Sequence, residues 1–152
     1  MTDIRREALV APNPTSTAAS TVMRANRGRD TKPELAVRRL LFSQGYRYCV
    51  HLKTLPGSPD VVFTRRKKAI FVNGCFWHQH SSLTCPLRSH PKSNLNYWSV
   101  KLQRNVERDQ LNKRRLQDMG WKTITIWECE TPNLDLLSKR LTVFLGHPRT
   151  TP

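Results

Sequence analysis

Apolar and polar positions alternate with different periods along this chain, and the periods mark out its elements. In "TKPELAVRRLLFSQG" (residues 31–45) Val37 and Leu41 follow Glu34 by three and seven positions, the spacing of one helix face. Thr31 is placed to cap that helix, Glu34 to complete a capping box three residues on, and Gly45 to stop it. Glu34 shares the apolar side, so two readings stay open: a capping carboxylate, or an acid turned into a site. "YRYCVHL" alternates as a strand does, and "LPGSPD" makes a turn after it. "VVFT" and "AIFV" are short, β-branched, apolar runs joined by "RRKK", the pattern of a hairpin. Residues 94–119 contain no Gly or Pro and few β-branched residues, which predicts a long helix. "GWKTITIWECE" marks a helix ended by glycine and then a strand, and "NLDLLSKRLTVFL" a last amphipathic helix. The predicted order is α, three β, α, β, α without an internal repeat, which fits an α/β sheet flanked by helices.

Length and charge narrow the partner. The 152 residues suit one domain with a sizeable core. Residues 1–22 include "APNPTSTAAST", which has no apolar period and reads as a disordered N-terminal arm; the folded domain is expected over 23–147 and a flexible tail over 148–152. No stretch has the long apolar run of a signal peptide or membrane span, so a cytoplasmic, non-membrane protein is expected. Lys and Arg number 26 against 11 Asp and Glu, a formal net charge of +15. Asp3, Glu7, Arg5 and Arg6 cancel within the arm, so the folded part carries the whole excess. A polyanion, most simply nucleic acid, is the implied partner. Along the long helix Lys101, Asn105, Arg108, Asn112 and Arg115 recur at spacings of four and three. That stripe is either a solvated face or a track for phosphates.

The chemistry concentrates in "AIFVNGCFWHQHSSLTC". Phe76 and Trp77 stand beside His78 and His80, between Cys75 and Cys85. An apolar core has little use for the histidines there, and a solvated loop little use for the aromatics. Cys75, His80, Cys85 and the distant Cys129 supply the four donors of a structural zinc site, with His78 and His90 as spare candidates. Unrelated buried thiols are the alternative, since disulfides are not expected in a cytoplasmic chain. Cys49 is assigned to packing, as are Trp121 and Trp127. Asp60 begins one strand of the predicted hairpin and "FVN" ends the next, so the two tips can meet around one Mg²⁺ ion. His78 can accept a proton near neutral pH.

"MRANRGRDTKPE", "LPGSPD", "FVNGCFWHQH", "NVERD" and "GWKTITIWECE", in that order and spacing, resemble the very-short-patch-repair (Vsr-type) DNA mismatch endonucleases from Met23 to about Glu130. The resemblance implies a restriction-endonuclease-like, PD-(D/E)xK-type fold with a central mixed sheet. It implies a monomer that nicks one strand of double-stranded DNA beside a T·G mismatch left by deamination of 5-methylcytosine. By the same resemblance Asp60 is the Mg²⁺-binding aspartate and Val72 offers a backbone carbonyl to the ion. His78 activates water, Glu34 supports the site, and Cys75, His80 and Cys129 bind structural zinc. Phe76, Trp77 and Trp98 match an aromatic wedge that enters the base stack. Arg24 lies in a basic arm on DNA, and Asn105 and Arg108 are candidate phosphate contacts. A functional link to a cytosine-5 DNA methyltransferase and a repair polymerase, and a bacterial, nucleoid-associated location, also follow from the resemblance.

Two positions depart from the family pattern. Asn73 stands where the best-aligned family member has His, and Asn carries neither proton nor positive charge. The spacer from His80 to Cys85 is longer than the expected H-x-C, so His90 competes with Cys85 as ligand. The alternatives are a zinc-stabilised DNA-binding protein of the same fold that has lost catalysis, and a nuclease without mismatch preference.

Overall fold

Residues 29–82, 84–87 and 91–149 are described by the computed structural model. The expected arm over 1–22, Arg24 and the competing ligand His90 lie outside these residues.

Helix α1 spans Lys32–Ser43; Thr31 is its N-cap, its side chain accepting from the Glu34 N–H at 3.4 Å. The Glu34 carboxylate does not close the expected box onto Thr31; it accepts from the Asp30 N–H at 2.8 Å. Gly45 follows the helix in the left-handed region at φ 92°, where a side chain is disfavoured. Three strands come next: β1 (Cys49–Val50), β2 (Val61–Phe63) and β3 (Lys68–Asn73). Helix α2 (Leu95–Asp118) crosses to β4 (Lys122–Trp127); a turn of 3₁₀ helix (Glu128–Glu130) and helix α3 (Leu134–Leu145) complete the order. The sheet runs β1-β2-β3-β4, antiparallel except for the parallel β3–β4 pair, whose connection is α2. The architecture is thus a mixed four-stranded sheet with three helices, in the predicted element order.

Side-chain alternation along the strands sends residues to two apolar layers. Val61, Phe63, Ile70, Val72 and Ile126 meet Val37 and Leu41 of α1 and Leu137, Leu141 and Leu145 of α3. On the other face Val62 meets Leu116 of α2, with Phe71 and Trp121 packed around them. Each such fully buried side chain contributes about 1.5–3 kcal/mol. The hairpin turn also fastens α3: Arg66 donates to the Leu145 and His147 carbonyls and Lys68 to that of Phe144, satisfying carbonyls at the helix C-terminus.

Three expectations change. The strand read from "YRYCVHL" pairs only over Cys49–Val50, because His51 turns out of the sheet at φ 48°. Tyr46 and Tyr48 still pack inward, each edge-on to Phe63 at 6.1 Å. Cys49 is exposed on this edge strand, so it has no packing role. Trp121 joins the α2 layer as expected, but Trp127 stacks on His80 instead, with centroids 4.2 Å apart and planes 15° from parallel.

No helix among the described residues is long and apolar enough to cross a membrane.

Candidate active site and metal cluster

The parallel register pairs Asn73 with Trp127, so β3 and β4 end side by side. Two residues beyond each end stand Cys75 and Cys129. With His80 and Cys85 they form a group whose donor atoms all lie within 4.8 Å of one another. The Cys129 Sγ–His80 Nδ1 separation is 3.5 Å, and stacking on Trp127 fixes the imidazole plane. Three thiols and one imidazole converging at the end of two strands are the donor set of a closed, four-coordinate metal site. Cys85 therefore joins the cluster despite its longer spacer. Burial pushes the Cys75 thiol up to about 12. Burial also opposes ionisation of Cys85, but hydrogen bonds from His80, the Leu87 N–H and the neighbouring thiols outweigh it and bring Cys85 down to about 7. A thiol cluster of this kind is relieved by a cation that takes the thiolates as ligands.

The chain between these ligands is wound tightly. His78 N–H donates to Gly74 O at 3.1 Å and His80 N–H to Cys75 O at 3.0 Å. Helix α2 grips the same loop from the other side. Asn105 Nδ2 donates to Trp77 O at 3.2 Å, and one turn later Asp109 Oδ2 lies 2.5 Å from His78 Nδ1. Asp109 accepts from Nδ1–H, which leaves His78 Nε2 as the proton acceptor. Phe76, Trp77 and Trp98 form a ring cluster with centroids 5.1–5.6 Å apart. Lys101 Nζ sits 5.4 Å from the Trp77 centroid and 5.6 Å from that of Trp98. None of the three aromatics belongs to either apolar core layer; all are partly exposed and line an open cavity of about 1190 Å³.

Asp60 lines the same cavity, as do Arg108, Asp109, Asn112 and Lys113 of α2. Its Oδ2 accepts from Val72 N–H at 2.7 Å, while its own N–H donates to Ile70 O at 3.1 Å. The carboxyl is raised from 3.8 to about 7, chiefly by burial and further by the neighbouring Glu34 charge, against the Val72 hydrogen bond, His78 and Arg38. Such a carboxylate is under-compensated, and a cation beside it would favour its charged form. One carboxylate facing an open, water-accessible cavity suits Mg²⁺, which keeps most of its waters. Glu34, 2 % exposed, and Asn73, 5 % exposed, stand on the same wall. The Glu34 carboxylate accepts from the Asp30 N–H at 2.8 Å and from Arg38 Nη2 at 3.0 Å, and the residue lines the cavity.

A family model for the DNA mismatch endonuclease Vsr matches residues 14–84. The type II nicking enzyme V.XorIIP of Xanthomonas oryzae pv. oryzae is 46% identical over 120 residues, covering 79% of this chain and 86% of that one. The DNA mismatch endonuclease Vsr of Escherichia coli (strain K12) is 41% identical over 107 residues, covering 70% and 67%. The chain belongs to the Vsr family of DNA mismatch endonucleases. The type II nicking enzyme V.NmeAIP of Neisseria meningitidis is 41% identical over 127 residues, covering 84% and 89%. As a Vsr-family member the chain is an endonuclease, and its substrate is DNA.

The Vsr-family cavity also holds residues that the sequence alone did not single out. Asp109, within "NVERD", is the partner of His78. Its only signal is its place four residues after Asn105, one turn along the same helix face. Lys113, a further turn on, lines the cavity; burial holds its ammonium below the usual lysine range, and Asp109 opposes that shift. Of the stripe, Lys101 covers the rings, Asn105 holds the loop, and Arg108 and Asn112 line the cavity. Asn112 also backs Gly57 of the "LPGSPD" turn, where a Cβ would come within 3.0 Å of it.

Two outcomes are expected. Asp109→Asn replaces an acceptor-only carboxylate with an amide that can donate as well as accept, so His78 is no longer confined to the Nδ1–H tautomer. Single-turnover DNA cleavage should fall by roughly 10²–10⁴-fold, with the melting temperature little changed. The second concerns pH. The folded value for Asp60 lies above the unfolded one, so its ionisation destabilises the fold as pH rises from about 4 and the cost is complete above about 7. The shift corresponds to at most about 4 kcal/mol. Asp60→Asn keeps an acceptor for Val72 N–H without the charge. In magnesium-free buffer it should melt higher than the unaltered protein at pH 8, with the gain vanishing near pH 4.

Proposed function

We propose that this protein nicks one strand of duplex DNA beside a T·G mismatch, with Mg²⁺ at Asp60 and structural zinc in the Cys75–His80–Cys85–Cys129 cluster. The observation that carries the reading is that His78, held by Asp109, and Asp60 line one cavity together with the Phe76–Trp77–Trp98 ring cluster. The mixed sheet with β2 and β3 presenting Asp60 is compatible with a restriction-endonuclease-like, PD-(D/E)xK-type fold.

Hydrolysis needs a proton removed from water, a P–O bond formed to that water's oxygen, and a P–O bond broken to the leaving sugar oxygen. His78 Nε2 accepts the proton, and Asp109 holds the resulting imidazolium by its Nδ1–H. Mg²⁺ bound at Asp60 and the Val72 carbonyl would supply Lewis-acid charge to the phosphate. Arg108 and Lys113 add positive charge to the same cavity, and the +15 chain draws the polyanion in. Glu34 and Asn73 complete the wall behind Asp60.

Mismatch choice comes from the rings. Unstacking a base step costs a few kcal/mol, and less where pairing is already poor. A ring cluster held at its base by zinc and by Asn105 enters such a step with little ordering cost. His78 follows Trp77 directly, so the strand opened by the rings is the strand presented to the base. Arg24 would extend the contact along the duplex. A monomer acting where 5-methylcytosine has deaminated, alongside a cytosine-5 methyltransferase and a repair polymerase, is the setting that fits this chemistry.

A nicking assay on a T·G duplex and its matched control, with Mg²⁺ and with EDTA, tests the reading. Nicking confined to the T·G duplex and abolished by EDTA is expected. Equal cutting of both duplexes refutes mismatch choice, and tight binding without cutting refutes catalysis. In the Phe76→Ala/Trp77→Ala variant the T·G preference should drop at least tenfold, more than non-specific affinity does. For the cluster, elemental analysis should find one zinc per chain, lost in Cys129→Ser together with several degrees of melting temperature. Active protein without zinc would rule the structural site out.

A further inference from the structure

Behind Asp60 lies a second group of ligating side chains. Asp30, Glu34 and His51 bring one donor atom each within 4.8 Å of the others, a spacing that suits a cation. That position is already taken. Arg38 Nη1 donates to Asp30 Oδ1 at 2.8 Å, and Nη2 donates to Glu34 Oε2 at 3.0 Å and lies 2.7 Å from His51 Nε2. A guanidinium has no acceptor, so toward Arg38 the His51 Nε2 accepts and the neutral ring carries its proton on Nδ1; the same Nε2 also lies 3.4 Å from Glu34 Oε2 and 3.5 Å from Asp30 Oδ1. That Nδ1 faces Asp60 Oδ1 at 3.9 Å.

The group is built rather than incidental. The Arg38, Glu34 and His51 side chains are only 13%, 3% and 9% exposed. Asp30 and His51 both hold left-handed backbone, at φ 54° and 48°, and both are tied to the same guanidinium. Arg38 Nε is buried without a partner among the described residues, so the side chain is held through its terminal nitrogens by these three groups. One fixed positive charge thereby joins the segment before α1, α1 itself and the end of β1.

We propose that Arg38 is a built-in cation that closes the Asp30–Glu34–His51 cluster to divalent metal, so that the site takes its ion at Asp60 alone. Arg38 is then a positioning residue: it holds the Glu34 carboxylate and sets the His51 ring toward Asp60. The clause about Asp60 rests on the proposed function; the clause about Arg38 does not.

Counting bound Mn²⁺ by electron paramagnetic resonance, on the full-length protein as purified and without DNA, separates the two. The unaltered chain should bind one Mn²⁺, and Asp60→Asn none. Arg38→Met keeps an apolar stem in place of the guanidinium and should bind two Mn²⁺, with one surviving in Arg38→Met/Asp60→Asn. Two Mn²⁺ on the unaltered chain overturn the proposal even if the Arg38 variant fails to fold. A folded Arg38→Met that gains no ion overturns it as well. A single ion that persists in Asp60→Asn instead defeats the Asp60 assignment, and the Arg38 clause is then decided by the gain or absence of an ion in Arg38→Met.

Discussion

The parallel pairing of β3 with β4 is the constraint on which the site depends. Because Asn73 lies opposite Trp127, both strands deliver their next residues to the same end of the sheet. Cys75 and Cys129, 54 positions apart in the chain, meet there only because the register is parallel and unshifted. A slip of one residue would send the alternating side chains to the opposite faces and part the thiols. The antiparallel β2–β3 pair adds Asp60 to the same end, where its carboxylate accepts from Val72 N–H. The Cys/His cluster, the Asp60 carboxylate and the aromatic loop are therefore brought to one end of the sheet by these two strand registers.

Helix α2 is both the crossover that parallel pairing requires and the wall that completes the site. Its Leu116 packs on the sheet, which fixes its rotation. Another of its faces then carries Trp98, Lys101, Asn105 and Asp109 at spacings of three and four, toward the loop. Consecutive turns hold consecutive loop residues: Asn105 the Trp77 carbonyl, Asp109 the His78 ring. The loop is thus clamped at one end by thiols and along its length by the helix.

These two constraints explain what could be read from the sequence. Element order was legible because apolar period and caps are local properties: Thr31, the "RRKK" turn and the unbroken 94–119 run each act within a few residues. Cys75, His80 and the distant Cys129 were legible as candidate ligands because few other roles suit such thiols and imidazoles, while Cys85 competed with His90 until the fold brought Cys85 to the group. Partners were not. Periodicity placed Asn105 and Arg108 on one helix face but could not say that the face meets a loop, so Asp109 stayed unremarked inside a quoted motif. The short β1 and the stacking of Trp127 on His80 escaped for a similar reason. A backbone turn at His51 and a ring partner from a distant segment leave no local period. Arg38 pairs locally with Glu34 one turn earlier, but its contacts to Asp30 and His51 depend on left-handed turns in segments outside the helix, which leave no period.

The two histidines near Asp60 are held by opposite partners, a carboxylate for His78 and a guanidinium for His51. His78 donates from Nδ1 to a carboxylate, which leaves its other nitrogen as an acceptor. His51 accepts from a guanidinium through Nε2, and its other nitrogen faces Asp60 Oδ1 at 3.9 Å. One ring leaves an acceptor nitrogen free beside the cavity; the other turns its second nitrogen toward Asp60. Exchanging the carboxylate and the guanidinium between these two sites would exchange the roles of the rings, although neither histidine would move.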